Sequence, residues 1–338
     1  MKSNDFALHL SAWFLKYLPS RMGYSNNTVK SYRDSFVIFL RYCSSELGIK
    51  PEKIDFTRIN RNMVEDFLSW LEHQKKQSVS TRNLRLAALH AFFRYIQLRS
   101  PEYMELCNSI LAVRSKKMPV AEINYLSIEG IKALLSIPDT AGRSGRRDLA
   151  VLALMYDTGA RVQEIANLKA ADIRIKTPST IRLTGKGNKT RIIPVMPQTM
   201  SIVKKYMDDC GLLGQAKGSE PLFFNSKGEK LTRAGLSYIL NKYTEKAAAE
   251  NKSLFSDKMS PHVLRHSKAM HLLQSGVNLI YIRDFLGHSS VTTTEIYAKS
   301  NPEMKRKAIE NASSKVLPKE KFSAEEKKDL FEWLKTMI

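Results

Sequence analysis

The sequence predicts a mainly α-helical fold in two parts, the second part carrying one small β-sheet. Three observations predict it. Apolar residues recur at helical spacing through residues 1–118. A basic, proline-containing stretch at 114–125 breaks that periodicity. A lone hairpin signal stands within residues 172–196. The length of 338 residues suits two domains and a short appendage, at roughly 100–200 residues per domain.

In the first part, Asn27 or Thr28 is placed to cap a helix through VKSYRDSFVIFLRYC, with Val29, Tyr32, Phe36, Phe39 and Leu40 along one face. A second helix is expected over 61–74, with Met63, Phe67, Trp70 and Leu71 on one side. A third, capped by Ser80, runs through TRNLRLAALHAFFRYIQL. Lys30, Arg33, Arg82 and Arg85 fall on polar positions of these helices and are the candidate contacts of this part to an anionic partner. The stretch RSKKMPVAEINY, 114–125, is the expected linker, which bounds a first domain at 1–113 and a second at 126–312. The second opens with helices over 126–136 and 146–156. Short β-branched runs at 180–183 and 191–195 flank a Gly-Lys-Gly-Asn turn, and helices follow. A tail, 313–338, closes with KFSAEEKKDLFEWLKTMI. Ser323 and Glu326 there make a capping box. Leu330, Phe331, Leu334 and Ile338 form a stripe that needs cover from its own domain or another subunit.

Fifty-four Lys+Arg against 33 Asp+Glu give a net charge of +21. Such a charge opposes compaction and suits a polyanionic partner, nucleic acid first and an anionic membrane surface second. Residues 1–118 hold 19 basic and 10 acidic side chains, hence +9, and the other 220 residues hold +12. The charge is therefore spread over both halves and is not gathered on one amphipathic helix, which argues against the membrane. Cys43, Cys107 and Cys210 are widely spaced and odd in number. They suit neither a disulfide framework nor a thiolate zinc site and fit a reducing cytoplasm. The opening MKSNDFALHL lacks the apolar region of a secretory signal. No phosphate-cradling G-x-x-x-x-G-K-[ST] loop is present.

Four pieces of the second half carry chemistry. They are Arg161 with Glu164 in TGARVQEIANL, Lys186 in LTGKGNKTR, His262, Arg265 and His266 in SPHVLRHSKAMHLL, and His288 with Tyr297 in FLGHSSVTTTEIYAKS. Singly, each has an ordinary reading: a surface ion pair, a solvated turn lysine, a helical His-Arg pair, a packed tyrosine. Together they supply what phosphodiester transfer requires. Arg161 and Arg265 are permanent cations whose donors fork onto phosphate oxygens. Lys186 on a hairpin tip can protonate a departing 5′-oxygen. His262, three residues before Arg265 on the same helix face, can exchange a proton with a nucleophile. His288 can donate a further hydrogen bond, and Tyr297 offers a hydroxyl able to attack phosphorus. A metal-dependent nuclease would bring a spaced carboxylate cluster, which the sequence does not offer.

These strings, with YSNNTVKSYRDSFVIFLRYC near the start, resemble the tyrosine recombinases, or phage-integrase family, including its Xer-type and transposon-integrase branches. The resemblance covers about residues 5–310. It implies a SAM-like helical core-binding domain plus an α+β catalytic domain that close around DNA. It implies that Arg161, Lys186, His262, Arg265 and His288 surround the phosphate, that Glu164 and His266 support them, and that Tyr297 forms a 3′-phosphotyrosyl link. It further implies double-stranded DNA at specific recombination sites as substrate, a homotetramer on two sites, and a Holliday-junction intermediate. Accessory DNA-bending proteins are further candidate partners. No cofactor, metal or membrane is implied, and the expected place is the bacterial cytoplasm, at the nucleoid. Integration, excision or transposition of a mobile element is the expected task, with Xer-type dimer resolution as the alternative. A type IB topoisomerase and an inactive DNA-binding protein are more distant readings. The tail is expected to dock on a neighbouring protomer.

Overall fold

Serine and asparagine caps decide where the helices of the first half begin. The computed structural model describes residues 5–118, 123–214, 217–256, 259–288 and 290–299, with positions 306, 332 and 334–336. Helix α1 (Asp5–Ala12) runs into a π-helical stretch, Trp13–Arg21. Helix α2 (Asn26–Leu47) starts from Ser25, whose hydroxyl accepts the Thr28 amide at 3.3 Å. That cap lies two or three residues ahead of the expected Asn27 or Thr28. Asn60 accepts the Met63 amide at 2.9 Å and starts α3 (Arg61–His73). Ser78, not Ser80, starts α4 (Val79–Gln97). In both shifts the cap is the first serine with extended backbone, because only that conformation turns the side-chain oxygen onto the open amides. Helix α5 (Met104–Leu111) completes this half.

The expected apolar faces are the buried ones. Phe36, Phe39, Met63, Phe67, Trp70 and Leu71 are buried, with Val29, Tyr32 and Leu40 packed beside them. Aromatic rings dominate this core. Trp13 is 1% exposed, stacks on Tyr32 at 5.5 Å between centroids, and meets Phe36 and Phe92 edge-on.

The chain divides into two compact units, 1–120 and 121–338. The second begins with α6 (Ile128–Ser136), capped by Ser127, and α7 (Arg143–Thr158). A one-turn helix, α8 (Val162–Ala166), leads to three antiparallel strands in sequence order, β1 (Ile173–Arg174), β2 (Thr180–Thr184) and β3 (Thr190–Pro194). Ile181, Leu183 and Ile193 point inward. Arg191 stands opposite Leu183, and the hairpin tip turns through Gly187 and Asn188, both at positive φ. Helices α9 (Pro197–Asp209), α10 (Arg233–Glu250), α11 (Pro261–Gln274), α12 (Leu279–Leu286) and α13 (Thr292–Lys299) follow. The core packs α7, α9, α10 and the sheet together. A smaller cluster joins α11, α12 and Tyr297 of α13. The fold is therefore mainly α with one small sheet. Among the described residues no helix is long and apolar enough to cross a membrane. The expected tail helix over 323–338 lies outside the described residues, apart from 332 and 334–336.

Candidate active site

The C-terminal end of α12 is the point where the separate motifs meet. A helix end leaves its last carbonyls without intrahelical partners and carries partial negative charge. Here three successive carbonyls each accept from a different arginine. Arg191 Nε donates to Phe285 O at 3.0 Å, Arg265 Nη2 to Leu286 O at 2.8 Å, and Arg161 Nη2 to Gly287 O at 3.1 Å. The helix stops because Gly287 adopts φ +67°, and His288 follows at once.

Arg161 arrives through a second glycine. Helix α7 ends at Gly159, φ +55°, where an added Cβ would stand 2.8 Å from Leu286 Cδ2. The Gly159 carbonyl accepts Arg265 Nη1 at 2.7 Å. Two residues on, Arg161 occupies the cap position of α8, and Glu164 reaches back to its amide at 2.8 Å. Arg161 Nη1 also donates to Glu164 Oε1 at 3.1 Å. Arg265 is 3% exposed, and a guanidinium's five donors exceed the two carbonyl bonds described. Burial, followed by the nearby Arg161 charge, lowers Arg265 to about 10, so it remains a cation at neutral pH.

Glu164 is 4% exposed. Burial pushes its carboxyl upward, but hydrogen bonds from Arg191 and the charges of Arg191 and Arg161 outweigh it and leave it below the usual range. Arg191 grips it with both ends, Nη1 to Oε1 at 2.9 Å and Nη2 to Oε2 at 2.8 Å. Sequence reading missed Arg191. Its only signal was a basic residue pointing off a hairpin strand, and such residues are usually solvated.

Tyr297 is fully buried, and its hydroxyl lies 2.9 Å from His266 Nδ1. Burial raises the phenol above its ordinary value, while the charges of Arg265 and Arg161 oppose the rise. Sequence reading names His262 as able to exchange a proton with the nucleophile; the ring within hydrogen-bond distance of the phenol is that of His266. Four residues make one helical turn, so His262 and His266 share a face of α11 with ring centroids 6.3 Å apart, and Tyr297 packs at the level of the second. Burial, with help from His262 and Arg265, lowers His266 to about 4, so its ring is neutral near pH 7. His262 is lowered chiefly by burial and then by Arg265, Arg161 and Arg233. His288 is likewise lowered to about 4, by burial first and by Arg265 and Arg161 next. Its Nδ1 lies 3.0 Å from the Oγ1 of Thr294, a fully buried threonine also missed in the sequence.

Lys186 opens the hairpin tip, and its side chain lies outside the described residues. The four basic residues of the first unit divide. Lys30 and Arg33 are exposed, Arg33 pairing with Asp34. Arg82, by contrast, does not occupy a solvated polar position: it is 8% exposed, faces Glu72 at 3.8 Å and donates to Arg114 O. Arg85 donates to Ser35 Oγ at 3.0 Å across to α2. Helix α4 packs against both α3 and α2, so Arg82 meets Glu72 and Arg85 meets Ser35, while Arg94 further along stays exposed.

Comparison with known proteins agrees with this geometry. Residues 124–304 match the Phage integrase family, and residues 12–99 match the phage integrase N-terminal SAM-like domain. The y4rC protein of Sinorhizobium fredii is 36% identical over 92% of this chain and 93% of its own length. Tyrosine recombinase XerC of Herpetosiphon aurantiacus is 32% identical over 84% of this chain and 88% of its own. Among solved structures, XerH site-specific recombinase bound to difH substrate in a pre-cleavage complex is similar, with a TM-score of 0.64 and 25% identity over 83% of this chain and 78% of that one. The chain belongs to the phage integrase family, the tyrosine recombinases.

Proposed function

We propose that this protein breaks and rejoins duplex DNA at a specific site by making Tyr297 the temporary partner of a backbone phosphate. The phenolic oxygen attacks phosphorus and forms a 3′-phosphotyrosyl ester while the bond to the 5′-oxygen breaks. The phenolic proton passes to His266, neutral at working pH and already within hydrogen-bond distance. Lys186 supplies a proton to the departing 5′-oxygen. Arg161 and Arg265 balance the charge that develops on the non-bridging oxygens, and their carbonyl and carboxylate bonds hold them in place beforehand. His288, held by Thr294, adds a donor. The 5′-hydroxyl of an exchanged strand then attacks the ester and restores a phosphodiester, so no high-energy cofactor is consumed. Two sites joined by four protomers would carry the exchange through a Holliday junction.

The observation that supports this reading most directly is the buried Tyr297 hydroxyl 2.9 Å from His266 of α11, the helix whose Arg265 meets Arg161 at the carbonyls ending α12. A nicked suicide substrate tests it. Without divalent metal, the wild-type chain should accumulate a covalent protein–DNA adduct, and Tyr297→Phe should form none. An undiminished adduct in that variant would remove the assignment.

The task we favour is integration or excision of a mobile element. The similarity to a protein named XerC favours a second reading, resolution of chromosome or plasmid dimers. Sequencing the DNA trapped on the protein in cells separates them: element ends support the first, a single fixed replicon site the second.

A further inference from the structure

The Arg191 side chain does more than neutralise Glu164. It leaves β3 one residue after that strand begins, at the base of the hairpin whose tip carries Lys186. From there it forks onto both Glu164 oxygens and donates its Nε to Phe285 O. The space around this knot is filled. A Cβ at Gly185 would stand 2.8 Å from Glu164 Oε1, and one at Gly287 would stand 2.8 Å from Arg191 Nη1. The β2–β3 register ends at Thr184 and Thr190, with one further bond from the Gly185 amide to Lys189 O at 2.8 Å, while Ile181, Leu183 and Ile193 seat the strands in the core. Arg191 is the side chain that ties the hairpin base to the arginine-bearing turn of α8 and to the end of α12.

We propose that Arg191 is a positioning residue for the general acid: it sets the register of the β2–β3 hairpin against the phosphate site, and so the reach of Lys186. The proposal rests on the strand-transfer reading above. It makes a specific chemical prediction, because a positioned proton donor matters only when the leaving group needs the proton. Replacing the bridging 5′-oxygen by sulfur gives a thiolate leaving group, with a conjugate-acid pKa of roughly 8.5 like a cysteine. That group departs without a proton donor.

The test is single-turnover cleavage of matched oxygen- and sulfur-bridged substrates by wild type, Arg191→Lys and Gly185→Ala. Lysine keeps the charge beside Glu164 but cannot fork onto two oxygens and a carbonyl. The added methyl at Gly185 would stand 2.8 Å from Glu164 Oε1 but 3.7 Å from Arg191 Nη1, so it crowds the carboxylate at the hairpin base while meeting Arg191 only at ordinary contact distance. Both variants should cleave the oxygen substrate about 30-fold more slowly, part of the 10²–10⁴ that a positioned acid supplies. On the sulfur substrate both should run within about threefold of wild type, a difference small beside that acid contribution. Wild-type rates on the oxygen substrate, or an equal loss on both substrates, would overturn the proposal. A wild-type chain that forms no adduct on either substrate would remove the strand-transfer reading itself, a result distinct from either.

Discussion

Two half-buried histidines and one buried glutamate set the electrostatics of the site residue by residue. His266 and His288 are held near 4 by burial and by neighbouring cations, while an unfolded histidine titrates near 6.5. Between those values the unfolded chain binds more protons, so stability rises with pH in that window and falls as pH drops through it. Urea unfolding of the wild type should show a lower midpoint at pH 5 than at pH 7. In a His266→Gln, His288→Gln double variant the difference should shrink. An unchanged pH dependence would mean that neither ring is neutral in the fold. Glu164→Gln asks a related question. It takes the charge from a carboxylate faced by two guanidiniums, and the loss of one partner of a buried ion pair costs on the order of 3 kcal/mol. A loss of that size should appear in the same unfolding measurement, and stability equal to wild type would show that the carboxylate charge is not needed there.

At the scale of elements, the ends of helices do the assembling. The turn after α7 and the end of α12 interlock: Gly159 leaves room for Leu286, and Arg265 of α11 bridges the carbonyls of Gly159 and Leu286. Gly159→Ala would combine left-handed backbone with a steric clash. The backbone alone costs about 1–2 kcal/mol, and a drop in melting temperature should accompany a loss of cleavage because Arg161 and Arg265 shift together. Wild-type stability and cleavage would show that the turn tolerates a side chain. Helix α11 is fixed to α7 by a second device. Lys268 pairs with Asp157 at 3.1 Å, both side chains being nearly buried, and Asp157 also accepts the Met196 amide. Lys268→Met should cost about 3–5 kcal/mol by leaving that carboxylate without its cation. Adding Asp157→Asn should recover part of the loss, and no recovery would mean that the pair is not coupled. Helix positions and faces were legible in the sequence because periodicity follows burial. Cap positions were not, since in SNNT and SVST several residues offer the same oxygen and only backbone conformation selects one.

The whole molecule carries +21, spread over both units. If six to ten phosphates are neutralised, raising salt from 50 to 200 mM should weaken DNA binding by about 10³–10⁵. A flat response would contradict a phosphate-tracking surface. At this scale the candidate site was legible as an ordered set of motifs, Arg161, His262, Arg265, His288 and Tyr297, because each residue type is chosen by chemistry. Arg191 and Thr294 were not legible, since they act by holding other residues and look like any strand arginine or helix threonine. Arg82 shows the converse: a polar helical position became interior once a neighbouring helix covered it. Strand exchange by this route requires that the Tyr297 oxygen take the phosphate. Nuclease trimming of the trapped adduct, followed by proteolysis and mass spectrometry, tests it most directly. A nucleotide mass is expected on the peptide containing Tyr297 and on that side chain. A nucleotide carried by any other residue would contradict it.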